Sequence, residues 1–211
     1  VDLGEYWNEV YDARGSEVSW FEASPVISLE LVGRFSPSRR GCIDVGSGTS
    51  DLIRILAEDG WEDLTALDVS PHALALLRSN LGSYVDVVTL IVSDIRDFGP
   101  PRQYTVWHDR AVFHFLVDET DRHRYATRMA NSLVPGGIAV IGGFSPDGPK
   151  QCSGLEVHRA SSKDIGAAMG DAFEVIFEMT STHETPQGIP QAFSWTVLVR
   201  RADDEIASVG L

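Results

Sequence analysis

Cysteine is scarce in this chain: only Cys42 and Cys152 occur among 211 residues, enough for at most one bridge. Cys42 opens an apolar run and reads as a buried thiol, which argues against a disulfide framework and for a reducing compartment. Cys152, His158 and His183 are spaced too widely and irregularly for a zinc motif, so no metal is expected. No stretch approaches the roughly 18 apolar residues needed to span a bilayer, and no basic-then-apolar leader opens the sequence. The expectation is a cytoplasmic protein with no membrane partner. Basic charge is short too: 17 Lys and Arg face 31 Asp and Glu, a formal charge of −14, and no basic cluster is longer than Arg39-Arg40 or Arg200-Arg201. Phosphate backbones would meet net repulsion, so nucleic acid is not expected as a partner.

What is present is a composition of 43% hydrophobic and 23% charged residues, that of a folded domain rather than an acidic disordered tail. The length suits one domain spanning 1–211. Residues 1–40 read as a helical cap: Leu3, Tyr6, Trp7, Val10 and Tyr11 fall at helical spacing, and Ser24-Pro25 announces a second helix carrying Ile27, Leu31 and Val32. From Gly41 the rhythm changes. Short apolar runs at Cys42 to Val45, Leu64 to Leu67, within Val85 to Val92, at Tyr104 to His108 and at Ile138 to Ile141 alternate with helical patterns. Ser70-Pro71 marks one helix start, and Asp118 with Asp121 marks another. This is an α/β pattern of repeated βαβ units around a parallel sheet covered on both faces. Two final strands, Phe173 to Glu178 and Ala192 to Val199, are expected to flank an excursion containing Pro186, Gly188 and Pro190.

The first strand runs into Asp44-Val45-Gly46-Ser47-Gly48. Glycines there permit a tight turn and a close backbone approach, although an isolated Gly-x-Gly is equally often a plain structural turn. Asp68 follows Gly46 by 22 residues at the end of the next strand, where a carboxylate accepts the hydroxyls of a bound ribose. The dinucleotide fingerprint is nevertheless incomplete, because position 51 is Asp51 instead of a third glycine. Asp44 beneath the turn would oppose a pyrophosphate and favour an ammonium-bearing cofactor. Asp94 ends the third strand and is placed to accept from an adenine amino group, with Ile95 as an apolar ring contact. Loop capping by Asp44, Asp68 and Asp94 is the competing reading.

These motifs resemble the seven-stranded, S-adenosylmethionine-dependent methyltransferases, strongly over Gly41 to Ile141, where Leu133-Val134-Pro135-Gly136-Gly137 is similar to the family's turn before strand five. The resemblance implies a Rossmann-like, doubly wound, mostly parallel seven-stranded sheet with an antiparallel C-terminal strand and an N-terminal helical cap. It implies that Asp44, Gly46, Ser47 and Gly48 hold the methionine part of S-adenosyl-L-methionine, Asp68 and Val69 the ribose side, and Asp94 and Ile95 the adenine. Tyr6-Trp7-Asn8 and Val18-Ser19-Trp20-Phe21 are similar to the cap of thiopurine- and tellurite-type enzymes and of small protein-lysine methyltransferases. That makes Trp7, Tyr11 and Trp20 lid contacts, with ordinary helix packing as the alternative.

The segment Trp107-His108-Asp109-Arg110-Ala111-Val112-Phe113-His114-Phe115 is expected beside the transferred methyl group. It lacks an Asn-Pro-Pro-Tyr sequence, which further weakens nucleic-acid modification. His108 is expected on the cofactor side or supporting backbone, and His114 is the candidate catalytic residue, touching the acceptor or accepting its proton, with packing in the core or at a helix cap as the alternative. For Asp109 and Arg110 an ion pair is one alternative, and the strand boundary leaves their side-chain directions open. The leading expectation is methyl transfer to a small-molecule acceptor at S, N, O or a metalloid centre, driven by proximity and alignment. A protein-lysine methyltransferase and a non-enzymatic S-adenosylmethionine-binding regulator are the alternatives.

Overall fold

A computed structural model describes residues 2–14, 24–36 and 38–202. Helices α1 (Leu3–Arg14) and α2 (Val26–Phe35) form the N-terminal cap. Strand β1 (Cys42–Val45) leads to α3 (Leu52–Glu58), β2 (Leu64–Asp68) to α4 (Pro71–Asn80), and β3 (Val88–Val92) to β4 (Tyr104–Arg110) through an irregular segment. Helix α5 (Glu119–Ser132) then precedes β5 (Leu133–Phe144). A small hairpin of β6 (Gln151–Cys152) and β7 (Leu155–Glu156) follows, then α6 (Ser162–Met169) and the long final strands β8 (Phe173–Glu184) and β9 (Pro190–Arg200).

Seven strands form one sheet in the order β3-β2-β1-β4-β5-β9-β8. β1 to β5 are mutually parallel, and β9 runs antiparallel to both β5 and β8. Every residue of β1 and β2 is buried, as expected for central parallel strands covered on both faces. Period-two alternation divides the core. Cys42, Ala66 and Val106 point to the side of α2, α3 and α4 with Leu31, Leu52 and Leu77, whereas Ile43, Leu67 and Trp107 point to the side of α5 and α6 with Tyr125, Met129 and Ile165. The chain passes from β1 outward to β3, then returns to the other side of β1 with β4. That reversal opens a crevice at the carboxyl ends of β1 and β4, the place where open α/β sheets bind ligands.

Several boundaries differ from the sequence reading. Pro25, not Ser24, is the N-cap of α2, and it offers no side-chain cap. Asp118 caps α5 without a side-chain bond, because Asp121 turns instead to Arg96. Ser70 does cap α4, accepting from the Ala73 N–H at 3.0 Å. Pro135-Gly136-Gly137 lies inside β5 as an irregularity in its pairing with β4. The last two strands pair from Phe173–Arg200 to Glu184–Pro190 with one register shift between Val175 and Phe177, so residues 185–189 form a short turn in place of an excursion. Among the described residues no helix is long and apolar enough to cross a membrane.

Candidate functional site

The crevice is a cavity of about 970 Å³, counting solvent at its mouth, and it gathers residues from α1, the ends of β1 to β4, and the β6–β7 hairpin. Gly46, Asp68, Val69, Asp94 and Ile95 line it, as do Trp7 and Tyr11 from the cap. Seven of the sequence-predicted contacts are thus brought to one space. Asp44, Ser47, Gly48 and His108 are buried around the turn that forms its floor or belong to it, and are not among the lining residues. Trp20 lies outside the described residues.

The turn after β1 requires glycine at both positions. Gly46 and Gly48 have φ of +64° and +51°, the left-handed region that costs an L-residue energy. A Cβ on Gly46 would overlap Val112 Cγ2, and one on Gly48 would overlap the Tyr11 hydroxyl. The N–H groups of Gly46 and Ser47 both donate to the Leu67 carbonyl, at 2.7 and 3.1 Å, and so fix the turn to the end of β2.

Asp68 reinforces that join. Its Oδ2 accepts from the Gly48 N–H and its Oδ1 from the Ser70 N–H, both at 2.8 Å. Burial raises its pKa to about 6, against the opposing pull of those N–H donors and with a further push from the charge of Asp44. Asp94 behaves differently. Partial burial works to raise it, but the Arg96 guanidinium, donating to Oδ1 at 2.9 Å and Oδ2 at 2.6 Å, holds it below the usual carboxylate range. Arg96 also reaches Asp121 of α5 at 3.3 Å, so the Asp94 carboxylate is braced from behind.

Helix α1 lies across the cavity and is fastened at both sides. Asn8 Oδ1 accepts from the Ser70 hydroxyl at 2.6 Å, and Asp12 pairs with His72 at 3.0 Å, both at the start of α4. On the opposite side Tyr6 donates its hydroxyl to the Ser153 carbonyl, and Trp7 meets Phe115 edge-on with ring centroids 5.2 Å apart.

Beneath the floor, Asp44, His108 and Ser28 form a chain: His108 Nδ1 lies 2.6 Å from Asp44 Oδ1, and His108 Nε2 lies 2.9 Å from Ser28 Oγ. The order matches a nucleophilic Ser-His-Asp constellation, but Ser28 is 0% exposed and has no access to substrate. His108 therefore supports Asp44 and does not contact the cavity. Asp44 Oδ2 and Ser47 Oγ, both buried, have no hydrogen-bond partner among the described residues.

The other end of the cavity is walled by Arg110, Ala111, Val112, Phe115, Cys152 and Leu155. Asp109 points away from it. Its carboxylate accepts from the N–H groups of Val112 and Phe113 at 2.8 and 3.0 Å and from the Tyr125 hydroxyl at 2.6 Å, which settles the direction the sequence left open. His114 also departs from expectation. It is 1% exposed, packs against Phe115 and Phe144, and does not line the cavity. Burial, helped by the charge of Arg110, lowers its pKa to about 3, so it is a neutral core imidazole placed away from any acceptor in the cavity. His183 likewise packs against Phe193. Arg96, Val112 and Tyr125 were not singled out from sequence. Arg96 had the one available signal, its position two residues after Asp94.

Residues 42–137 match the family described as a methyltransferase domain. No curated protein matches the chain. A solved S-adenosylmethionine-dependent methyltransferase from Anabaena variabilis is 15% identical over 95% of this chain and 96% of its own, with a TM-score of 0.74. The N-methyltransferase NodS from Bradyrhizobium japonicum, in complex with S-adenosyl-L-homocysteine, is 14% identical over 92% and 98%, with a TM-score of 0.69. A structure described for converting a disulfide bond into a thioacetal group during echinomycin biosynthesis is 18% identical over 98% of both chains, with a TM-score of 0.77. At these identities the likeness establishes the fold, which is the class I, Rossmann-like methyltransferase fold.

Proposed function

We propose that this chain is an S-adenosylmethionine-dependent methyltransferase acting on a small-molecule acceptor, folded as one domain with residues 1–40 as its cap. The observation that carries the reading is the cavity at the β1–β4 reversal, where the glycine turn, Asp68 and the braced Asp94 surround one space between Val69 and Ile95. The residues fit the cofactor. Val69 and Ile95 offer apolar faces for adenine, Asp94 an acceptor for its amino group, and Asp68 acceptors for the ribose hydroxyls. The orphaned Asp44 Oδ2 supplies the negative group that an ammonium needs near the turn.

When bound, the cofactor supplies an electrophilic sulfonium methyl group. The protein's part is to bind, align and keep water out. Trp7 and Tyr11 cover the cavity, and Ala111, Val112 and Phe115 form the wall against which an acceptor lone pair is aligned. The fastened α1 and the apolar wall favour a compact acceptor over a protein chain.

Calorimetry with S-adenosylmethionine and with NAD, followed by an acceptor panel read as S-adenosylhomocysteine release, tests the reading. The expected result is binding of the first ligand only, and turnover with one class of small acceptor. Tighter NAD binding overturns the cofactor. Label transferred only to protein moves the activity to lysine methylation, and binding without turnover across the panel supports a regulator.

A further inference from the structure

We propose that His108 and Ser28 are positioning residues for the cofactor, holding Asp44 so that its second oxygen is presented to the ammonium group of the cofactor's methionine part. The inference rests on the methyltransferase reading above and adds to it a device reaching from the cap to the cofactor floor.

The geometry begins in the sheet register. Asp44 of β1 and His108 of β4 are paired neighbours, and alternation turns both toward α2. Asp44 Oδ1 can only accept, so His108 donates from Nδ1 over their 2.6 Å contact. In the neutral imidazole this leaves Nε2 as an acceptor, which the Ser28 hydroxyl satisfies at 2.9 Å. Ser28 thereby fixes the tautomer, and the tautomer fixes which carboxylate oxygen is engaged. All three side chains are buried, so water does not compete for these bonds.

One atom of the arrangement is left over. Asp44 Oδ2 is buried without a partner two residues before Gly46, and the hydroxyl of Ser47 in the same turn is unpartnered as well. A buried carboxylate oxygen without a donor is costly, and such an exception calls for a missing partner. An ammonium bound over the glycine turn is a partner of the right charge. Without His108 the carboxylate is free to rotate either oxygen away from that direction. The role lies in orientation, since neither His108 nor Ser28 lines the cavity.

Two ligands and three variants separate this role from simple core packing. The full chain is titrated by calorimetry with S-adenosylhomocysteine and with 5′-methylthioadenosine, an adenosine thioether that lacks the amino-acid part. In His108→Asn the amide nitrogen takes the place of Nδ1 and still donates to Asp44. In His108→Gln the amide reaches the Ser28 end and abandons Asp44. The expected result is that His108→Gln weakens S-adenosylhomocysteine by about tenfold and leaves methylthioadenosine unchanged, while His108→Asn keeps both within about threefold. Ser28→Ala should weaken S-adenosylhomocysteine alone by about threefold to fivefold. Thermal melts accompany each titration, and if His108→Gln does not fold, Ser28→Ala decides by its selectivity between the ligands. Equal weakening of both ligands, or an unchanged affinity for S-adenosylhomocysteine, overturns the proposal. Binding of neither ligand by the wild-type chain overturns instead the methyltransferase reading on which it rests.

Discussion

On the proposed methyltransferase reading, Asp68 should link cofactor binding to pH, with a sign and a size that follow from its burial. Its carboxyl is 6% exposed and is raised to about 6 by burial, although two backbone N–H groups oppose the shift. Ribose hydroxyls donate to a carboxylate, so the cofactor binds the ionised form in preference. With a pKa near 6, roughly one molecule in eleven is ionised at pH 5, and apparent affinity should fall about tenfold between pH 7.5 and pH 5. At pH 6, calorimetry in buffers of different ionisation enthalpy should detect release of about half a proton per cofactor bound.

Stability of the unliganded chain should respond to the same group in the opposite direction. A carboxyl raised in the folded state contributes stability that is present below its unfolded pKa and is lost as pH rises through about 6. The shift corresponds to about 3 kcal/mol at neutral pH. Other buried groups titrate too, so the informative quantity is the difference between wild type and Asp68→Asn. The variant places an amide NH₂ against one of the two N–H donors now served by the carboxylate, from Gly48 and Ser70. It should bind S-adenosylmethionine about 1–3 kcal/mol more weakly at pH 7.5 and show no pH slope in affinity. An affinity that is flat from pH 5 to pH 8 in the wild type, or equally sloped in the variant, would refute the reasoning.

Gly46→Ala should abolish measurable cofactor binding and lower stability by about 1–3 kcal/mol, because its Cβ meets Val112 Cγ2 at a left-handed φ. Adding Val112→Ala should recover part of the melting temperature, and a melt unchanged by Gly46→Ala would contradict the packing. Tyr125→Phe removes the hydroxyl that donates to Asp109 and accepts from Trp107 Nε1 at 2.8 Å. Asp109, raised to about 6 by burial, then loses a bond that holds it down, so the variant should cost about 1–3 kcal/mol at pH 7.5 and less at pH 5. Equal destabilisation in melts at both pH values would show that Asp109 is not the group affected.

What the sequence disclosed follows from how local the causes are. Parallel strands in this sheet are continuous apolar runs, and Asp68 at the end of β2 and Asp94 two residues past β3 adjoin those runs, so both could be placed without knowing any long-range contact. The glycine turn was equally local. Asp121 shows the limit: its position suited a helix start, but the Arg96 guanidinium bridging from Asp94 is the stronger claim on it. Ser28 is 80 residues from His108, and only the docking of α2 over the sheet brings them together. For His114 the sequence left acceptor contact and core packing both open, and only the short 3-10 turn at residues 113–115, which directs its ring inward toward Phe144, shows where the ring lies. In the final hairpin, Pro186, Gly188 and Pro190 signalled an interruption, yet the ladder of cross-strand bonds extends on both sides to within a five-residue turn.

The two halves of the site are joined at one contact, and this constrains how either can change. Strand alternation sends Asp44 and His108 to the α2 face and Asp109 to the α5 face, so separate polar clusters hold the β1 turn and the β4 turn from opposite sides. The β4 turn is under strain, with Ala111 at a φ of +69°, and is retained by the Ala111 N–H to Gly142 carbonyl bond at 2.7 Å and by the grip of Asp109 on Val112 and Phe113. That grip delivers Val112 onto Gly46, the only residue type with room to receive it. A substitution that enlarges residue 112 to reshape the acceptor wall therefore pushes directly on the cofactor turn. By contrast Phe115, Cys152 and Leu155 line the cavity without the tight Cβ contact that ties Val112 to Gly46, so on the proposed reading substitutions there should reshape the cavity wall with less disturbance of the glycine turn.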